Sequence, residues 1–215
     1  MNIGIIGSGR VGGHLGVLWA HKQHEVHFGL RNPQDSKGGV LLKEGGEHAR
    51  TGTHEEAAAR SDVLLLALPW EALMEVLPTL GDLNGKVVID ATNRLGKPGN
   101  APAAGQDLQR LLPRARVVKA FNTIGAEHYA HPNFAGEQAT MLIAGDDPAA
   151  KNVVAGLARD LGFEPIDAGG IVQAGALEAL AFAWVQLSRT LGRDFAFRVL
   201  TPTLPQTTSP AGGSR

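Results

Sequence analysis

The sequence contains no cysteine. Its absence excludes disulfides, thiolate metal sites and a cysteine nucleophile, and it agrees with a reducing compartment. Excess charge of either sign is also missing. Twenty Lys and Arg against 21 Asp and Glu give a formal net charge of −1, which argues against a nucleic-acid or other polyanion surface. No basic-then-apolar leader precedes the first apolar run, so a cytoplasmic location is expected. The longest apolar stretch, residues 174–187, is interrupted by Glu178 and Gln186. It is expected to be too short to cross a bilayer, and no membrane partner is expected. The histidines show no metal-ligand spacing, no nucleophile elbow is present, and no internal repeat is visible. What remains is 215 residues, 43% hydrophobic and 19% charged, enough for one packed domain with an appendage.

Against these absences stands one strong pattern. The apolar run Ile3-Gly4-Ile5-Ile6 leads into Gly7-Ser8-Gly9-Arg10-Val11-Gly12, and an amphipathic stretch follows over residues 15–22. This reads as strand, tight turn and helix. Gly7 permits the turn, Gly9 removes a side chain that would block a pyrophosphate, and Gly12 lets helix and strand pack closely. The first amides of such a helix are unpaired and its dipole favours an anion. A second strand is predicted over residues 24–29. It ends in Leu30-Arg31-Asn32-Pro33, where NAD-specific folds usually place an acid. A guanidinium there suits a 2′-phosphate, so NADP(H) is preferred over NAD.

The third strand is predicted near residues 49–51, and the continuous apolar run Val63 to Leu68 reads as a central parallel strand ending at Pro69. Pro69 and Trp70 then either line the dinucleotide crevice or pack a helix on the sheet. The fifth strand, residues 86–90, leads to Asn93, a candidate ribose or carboxamide partner, with Asp90 bracing the turn. The loop running to Ala104 is expected to be mobile. A sixth strand and its exit, residues 116–125, place Lys119 and Asn122 at the ligand side. Asn122 is a candidate contact to the nicotinamide half or a substrate; Lys119 is either that or a surface charge. His128 is assigned no chemistry.

Residues 138–145 and 163–167 read as further strands, the second at an edge because of Pro165; a helix starts at Pro148 between them. A long helix is predicted over residues 172–191, with Leu177, Leu180, Trp184, Leu187 and Leu191 on one stripe and Ala179, Phe182, Ala183 and Val185 opposite. A helix apolar nearly all round faces the sheet on one side and a second subunit on the other, so a homodimer is expected. Glu178 within it forms a local ion pair or faces a ligand. The resulting fold class is α/β: a Rossmann-type, doubly wound, mostly parallel sheet over residues 1–170, a helical extension over 171–200, and a flexible tail over 201–215.

The chain resembles the NADPH-dependent F420 reductase family over roughly residues 1–200. The resembling segments are Gly7-Ser8-Gly9-Arg10-Val11-Gly12, Gly29-Leu30-Arg31-Asn32-Pro33, Leu68-Pro69-Trp70-Glu71, Gly145-Asp146-Asp147 and Asp167-Ala168-Gly169. Val117-Val118-Lys119-Ala120-Phe121-Asn122 is similar to the cytosolic oxidoreductase domain of the STEAP metalloreductases. The resemblance implies NADPH held along Ser8 to Val11, with Arg31 on its 2′-phosphate. It implies that Pro69, Trp70, Asn93 and the segment from Asn122 to Ala126 approach the nicotinamide. It also implies hydride exchange with a flavin or deazaflavin. Some F420 reductases carry Ser at the Leu30 position and His at the Asn122 position, so the acceptor stands open among F420, FMN and FAD. Positioning by Asn122 and Asn93, rather than a reacting side chain, is expected, because the cofactors carry hydride chemistry. The alternatives are an imine or pyrroline-carboxylate reductase, which would need a larger helical dimerisation domain, and a non-catalytic dinucleotide-binding protein.

Overall fold

Six short segments, most of them apolar, become six parallel strands in a computed structural model that describes residues 1–94 and 103–201. They are β1 (Asn2–Ile6), β2 (Glu25–Gly29), β3 (Ala49–Gly52), β4 (Val63–Leu66), β5 (Val87–Asp90) and β6 (Arg116–Lys119). Their order across the sheet is β3-β2-β1-β4-β5-β6. Every β4 residue is buried, as are Ile3, Ile5 and Ile6 of β1. Both faces of these strands are covered, which is why they read as unbroken apolar runs rather than alternating ones. Burying each such side chain contributes roughly 1.5–3 kcal/mol.

The crossovers carry α1 (Arg10–His21), α2 (Ser36–Gly45), α3 (His54–Ala59), α4 (Trp70–Val76) and α5 (Ala104–Leu111). Their starts are specified locally. Asp35 accepts a hydrogen bond from Gly38 N at 3.0 Å, and Thr53 and Glu56 form a reciprocal capping box. Because all six strands point the same way, their C-terminal ends and following loops share one edge of the sheet. The strand order reverses direction between β1 and β4, the point at which open α/β sheets bind their ligands.

Beyond β6 the direction changes. A hairpin of β7 (Asn133–Phe134) and β8 (Glu137–Gln138) precedes β9 (Thr140–Gly145), which pairs antiparallel with β6. After α6 (Pro148–Asp160), β10 (Glu164–Gly169) pairs parallel with β9 and closes the edge, giving eight strands. The sequence-predicted strand at residues 138–145 is thus shorter, and the hairpin before it is an element the apolar pattern did not reveal.

The last helix, α7 (Ala174–Leu191), seats Ala174, Leu177, Ala181 and Trp184 in buried positions, against neighbours that include α5 and β9. The expected single stripe needs correction. Leu187 is 42% and Leu191 62% exposed, because the helix runs past the elements it packs on. By length and composition Ile171–Leu191 is sufficient to cross a bilayer, contrary to the expectation from sequence, but one side of it is packed in the domain. The chain after α7 turns back to β9, where Thr140 N donates to Phe197 O and Thr140 Oγ1 accepts from Val199 N. The expected mobile loop before Ala104 and the expected tail fall almost wholly outside the described residues.

Candidate functional site

The β1–α1 turn is built by close backbone contact. Gly7 lies at φ +105, and a Cβ on it would come within 2.6 Å of Ala67 O, in the segment following β4. A side chain there is excluded twice, by conformation and by the approach of the two strand ends that flank the reversal point. A Cβ at Gly12 would stand 1.9 Å from Gly7 O, so the helix lies directly on the turn. Gly9 differs from both: a Cβ there would meet no protein atom within 4 Å. The space beside it is open. Gly9 is also the N-cap of α1 and supplies no side-chain cap, whereas α2, α3 and α6 are capped by Asp35, Thr53 and Asp147. The first-turn amides of a twelve-residue helix therefore stand without a side-chain acceptor, with Ser8, Arg10 and Val11 around them.

One strand over, Leu30 and Arg31 leave β2. The Leu30 side chain is 5% exposed and packs in the core, so it offers the crevice backbone alone. Arg31 is exposed. Among the described residues it has no hydrogen bond or ion pair, while Arg110 and Arg193 are each held by a carboxylate. The half-buried His54 lies beside Gly29, where a Cβ would come within 3.1 Å of its ring. Burial, assisted by the Arg31 charge, pushes the His54 imidazole below its ordinary value. His54 was not picked out from the sequence, where it reads as an ordinary helix-start residue.

Beyond β4, Pro69 is exposed and Trp70 half-buried at the start of α4. The Arg94 guanidinium covers the Trp70 ring at 3.9 Å and pairs with Asp107 at 2.7 Å. Next to them lies a buried ionic group. Asp90 and Lys119 are in register on β5 and β6, and both side chains are 0% exposed. Lys119 Nζ donates to Asp90 Oδ2 at 2.9 Å, to Glu178 Oε1 at 3.2 Å and to Thr92 O. Asp90 Oδ1 accepts from Thr92 N at 2.9 Å and from Thr92 Oγ1 at 2.6 Å, so Asp90 braces its turn as expected. Glu178 also accepts from Ala104 N at 2.8 Å and Arg94 N at 3.3 Å. Lys119 is therefore neither a surface charge nor an open ligand contact; its ammonium is enclosed by oxygen acceptors.

The sixth strand ends at Lys119, and its exit bends at Phe121, which adopts φ +60. Such backbone costs a non-glycine residue on the order of 1–3 kcal/mol. Asn122 follows. Its Nδ2 donates to Asn93 Oδ1 at 2.9 Å and to Leu177 O at 3.1 Å. Two acceptors around one nitrogen fix which way the amide faces. The Oδ1 is left buried with no partner, a state that costs roughly 1–3 kcal/mol until a donor reaches it. Ala126, 9% exposed, opens the short turn beyond.

The fold thus brings Gly7 to Gly12, Leu30 and Arg31, Pro69 and Trp70, Asn93, Asn122 and Ala126 to one edge of the sheet. The open space at Gly9, the uncapped helix, the unpaired Arg31 and the orphaned Asn122 Oδ1 fit a phosphorylated dinucleotide. Fold and site together define a Rossmann-type domain. The family described as NADP oxidoreductase, coenzyme F420-dependent, matches residues 2–94. A solved protein from Arthrobacter sp. FB24, named "a putative F420 dependent NADP-reductase", is 30% identical with a TM-score of 0.84; the match covers 94% of this chain and 100% of that one. The chain belongs to this F420-dependent NADP oxidoreductase family. It is also 27% identical to the F420-dependent NADP reductase of Methanocaldococcus jannaschii, covering 84% of this chain and 89% of that protein. Metalloreductase STEAP3 of Rattus norvegicus is 32% identical over 83% of this chain, but the chain spans only 36% of its length. A reductive aminase from Aspergillus terreus, 21% identical with a TM-score of 0.67, shares the fold.

Proposed function

We propose that the protein moves a hydride between NADP(H) and a flat heterocyclic acceptor of the flavin or deazaflavin class, such as F420, FMN or FAD. The observation that carries the nucleotide half is the exposed, unpaired Arg31 one strand from the uncapped start of α1. A fixed, planar guanidinium with no acid at the β2 end recognises a 2′-phosphate and disfavours a bare ribose. The deazaflavin acceptor is supported by the names of the relatives, which specify coenzyme F420. The titratable groups at the nicotinamide side, Asp90, Lys119 and Glu178, are engaged with one another.

A bound reduced nicotinamide would supply a hydride to the acceptor, and the residues of the site would hold and orient it. The α1 amides and Arg31 bind phosphate groups, and Arg10 adds a positive charge at the mouth. Asn122, fixed by Asn93 and Leu177 O, offers Oδ1 to an N–H donor and so orients the nicotinamide half. The protein's task is placement, because the cofactor would carry the hydride chemistry and no covalent step by a side chain is needed. The reading includes a homodimer formed through the exposed apolar side of α7.

The test is anaerobic oxidation of NADPH and NADH, each with F420, FMN or FAD. Turnover is expected only with an added acceptor and faster with NADPH. No turnover with any of the three overturns the acceptor class, and oxidation driven by a cyclic imine without flavin would favour an imine reductase.

A further inference from the structure

Three non-glycine residues among those described have positive φ: Gln23, Ala135 and Phe121. Gln23 and Ala135 sit in exposed turns, where neighbouring backbone can relax. Phe121 is 1% exposed and lies between β6 and Asn122. In left-handed backbone the β-carbon crowds the following carbonyl, so this conformation persists only where its surroundings hold it.

The surroundings here are specific. Phe121 N donates to Met141 Sδ at 3.1 Å, and Phe121 O accepts from the Tyr129 hydroxyl at 2.6 Å. The Phe121 ring meets Trp19 edge-on at 5.4 Å and Tyr129 edge-on at 6.4 Å. Tyr129 is the sole tyrosine of the chain and is 0% exposed. Burial pushes its hydroxyl above the ordinary value, so it remains a donor across the working pH range. The carbonyl it holds shares a rigid peptide plane with the nitrogen of Asn122. A bond to that oxygen therefore fixes the direction in which the chain leaves Phe121, and with it where the Asn122 amide lies relative to Asn93 and Leu177.

We propose that Tyr129 is a positioning residue for the nicotinamide half of the dinucleotide: its hydroxyl locks the left-handed turn at Phe121 and so sets Asn122 in place. This rests on the reading that NADP(H) occupies the crevice. Tyr129 touches no ligand in this scheme; it acts through Asn122 alone. A tyrosine that merely filled the core would support folding without distinguishing one end of the nucleotide from the other.

The test compares Tyr129→Phe with the wild-type protein, using fluorescence titration of NADPH and calorimetry with adenosine 2′,5′-bisphosphate, which lacks the nicotinamide riboside. NADPH is expected to bind five- to tenfold more weakly to the variant, and the bisphosphate within twofold of wild type. In an Asn122→Ala background, Tyr129→Phe is expected to lower Tm but to leave NADPH affinity unchanged. Met141→Leu, which removes the acceptor on the other side of the turn, is the second variant should Tyr129→Phe fold poorly. It is expected to weaken NADPH two- to threefold and spare the bisphosphate. NADPH affinity within twofold of wild type, or equal losses for both ligands, would overturn the role of Tyr129. A wild-type protein that binds neither ligand would instead sink the dinucleotide reading, and this inference with it.

Discussion

Asp90 and Lys119 face each other in register on adjacent parallel strands, with ammonium and carboxylate 2.9 Å apart and neither side chain open to solvent. Both strands are apolar runs that end in a charge, and the two charges find each other because β5 and β6 are neighbours. Glu178 approaches the same ammonium from α7, so the last helix is tied to the centre of the sheet.

Lys119→Met should be severely destabilising. It leaves Asp90 buried without a cation, a change that costs about 3–5 kcal/mol. Urea denaturation should show a correspondingly lower midpoint. Glu178→Gln, which keeps an oxygen for the Ala104 amide and is partly exposed, should cost less. A Lys119→Met midpoint equal to wild type would mean the pair contributes nothing net.

Gly9→Ala and Gly12→Ala should separate binding from folding. A methyl at Gly9 meets no protein atom, whereas at Gly12 it would overlap Gly7 O at 1.9 Å. Gly9→Ala should therefore keep the wild-type Tm and lose NADPH affinity, while Gly12→Ala should lower Tm. Unchanged NADPH affinity in Gly9→Ala would place the phosphates elsewhere.

Arg31→Ala should discriminate between nucleotides. Hydrogen bonds to a charged group contribute roughly 1.5–3 kcal/mol, equivalent to about a 10- to 150-fold loss in NADPH affinity. NADH affinity should change little. Equal losses for both would remove the guanidinium from the 2′-phosphate.

The stability should fall as acid is added, in two windows. Burial, with the Arg60 charge, holds His27 below its ordinary 6.5, and burial with Arg31 does the same to His54. The unfolded chain takes up these protons first, so stability declines as pH drops below 6.5 and the slope ends once the folded-state values are passed. His54→Gln should make that window shallower, leaving the share due to His27, when urea midpoints are compared across it. A second window lies lower: the hydrogen bond from Arg193 holds Glu127 below 4.5, and the stability this contributes above 4.5 disappears as pH falls through the lowered value. His54→Gln should leave the second window intact.

The proposed dimer predicts a charge-sensitive association. Phe182 is 47% exposed and Leu187 42% exposed on α7. Sedimentation at micromolar concentration should give a dimer for wild type and a monomer for Phe182→Glu with Leu187→Glu. A monomeric wild type would refute it.

The sheet was legible because its strands are short runs between strong punctuation: Gly7 after β1, Gly29 at the end of β2, Pro69 shortly after β4. The start of α6 was written in Asp147-Pro148, whose side chain caps Ala150 N as the local pattern implies. The Gly7–Gly12 motif and Arg31 were legible for the same reason, since each depends on a strand end and a few residues. What stayed hidden depends on distance. The pairing of Lys119 with Asp90 joins residues 29 apart, and a lysine taken alone reads as surface. The left-handed Phe121 carries no local mark, because its cause is Tyr129 and Met141 acting from other elements. Two-residue strands such as β7 and β8 are shorter than any periodicity, and the reversed direction of β9 is not encoded in its own apolar run. Leu187 and Leu191 obey helical spacing but extend beyond the surface they would need to reach.

Glu178 grips backbone rather than side chains at both of its loop contacts, the amides of Arg94 and Ala104. A grip of that kind takes hold of an N–H that every residue except proline carries. The mooring of α7 to these two backbone positions therefore survives a change of side chain at either place, proline excepted.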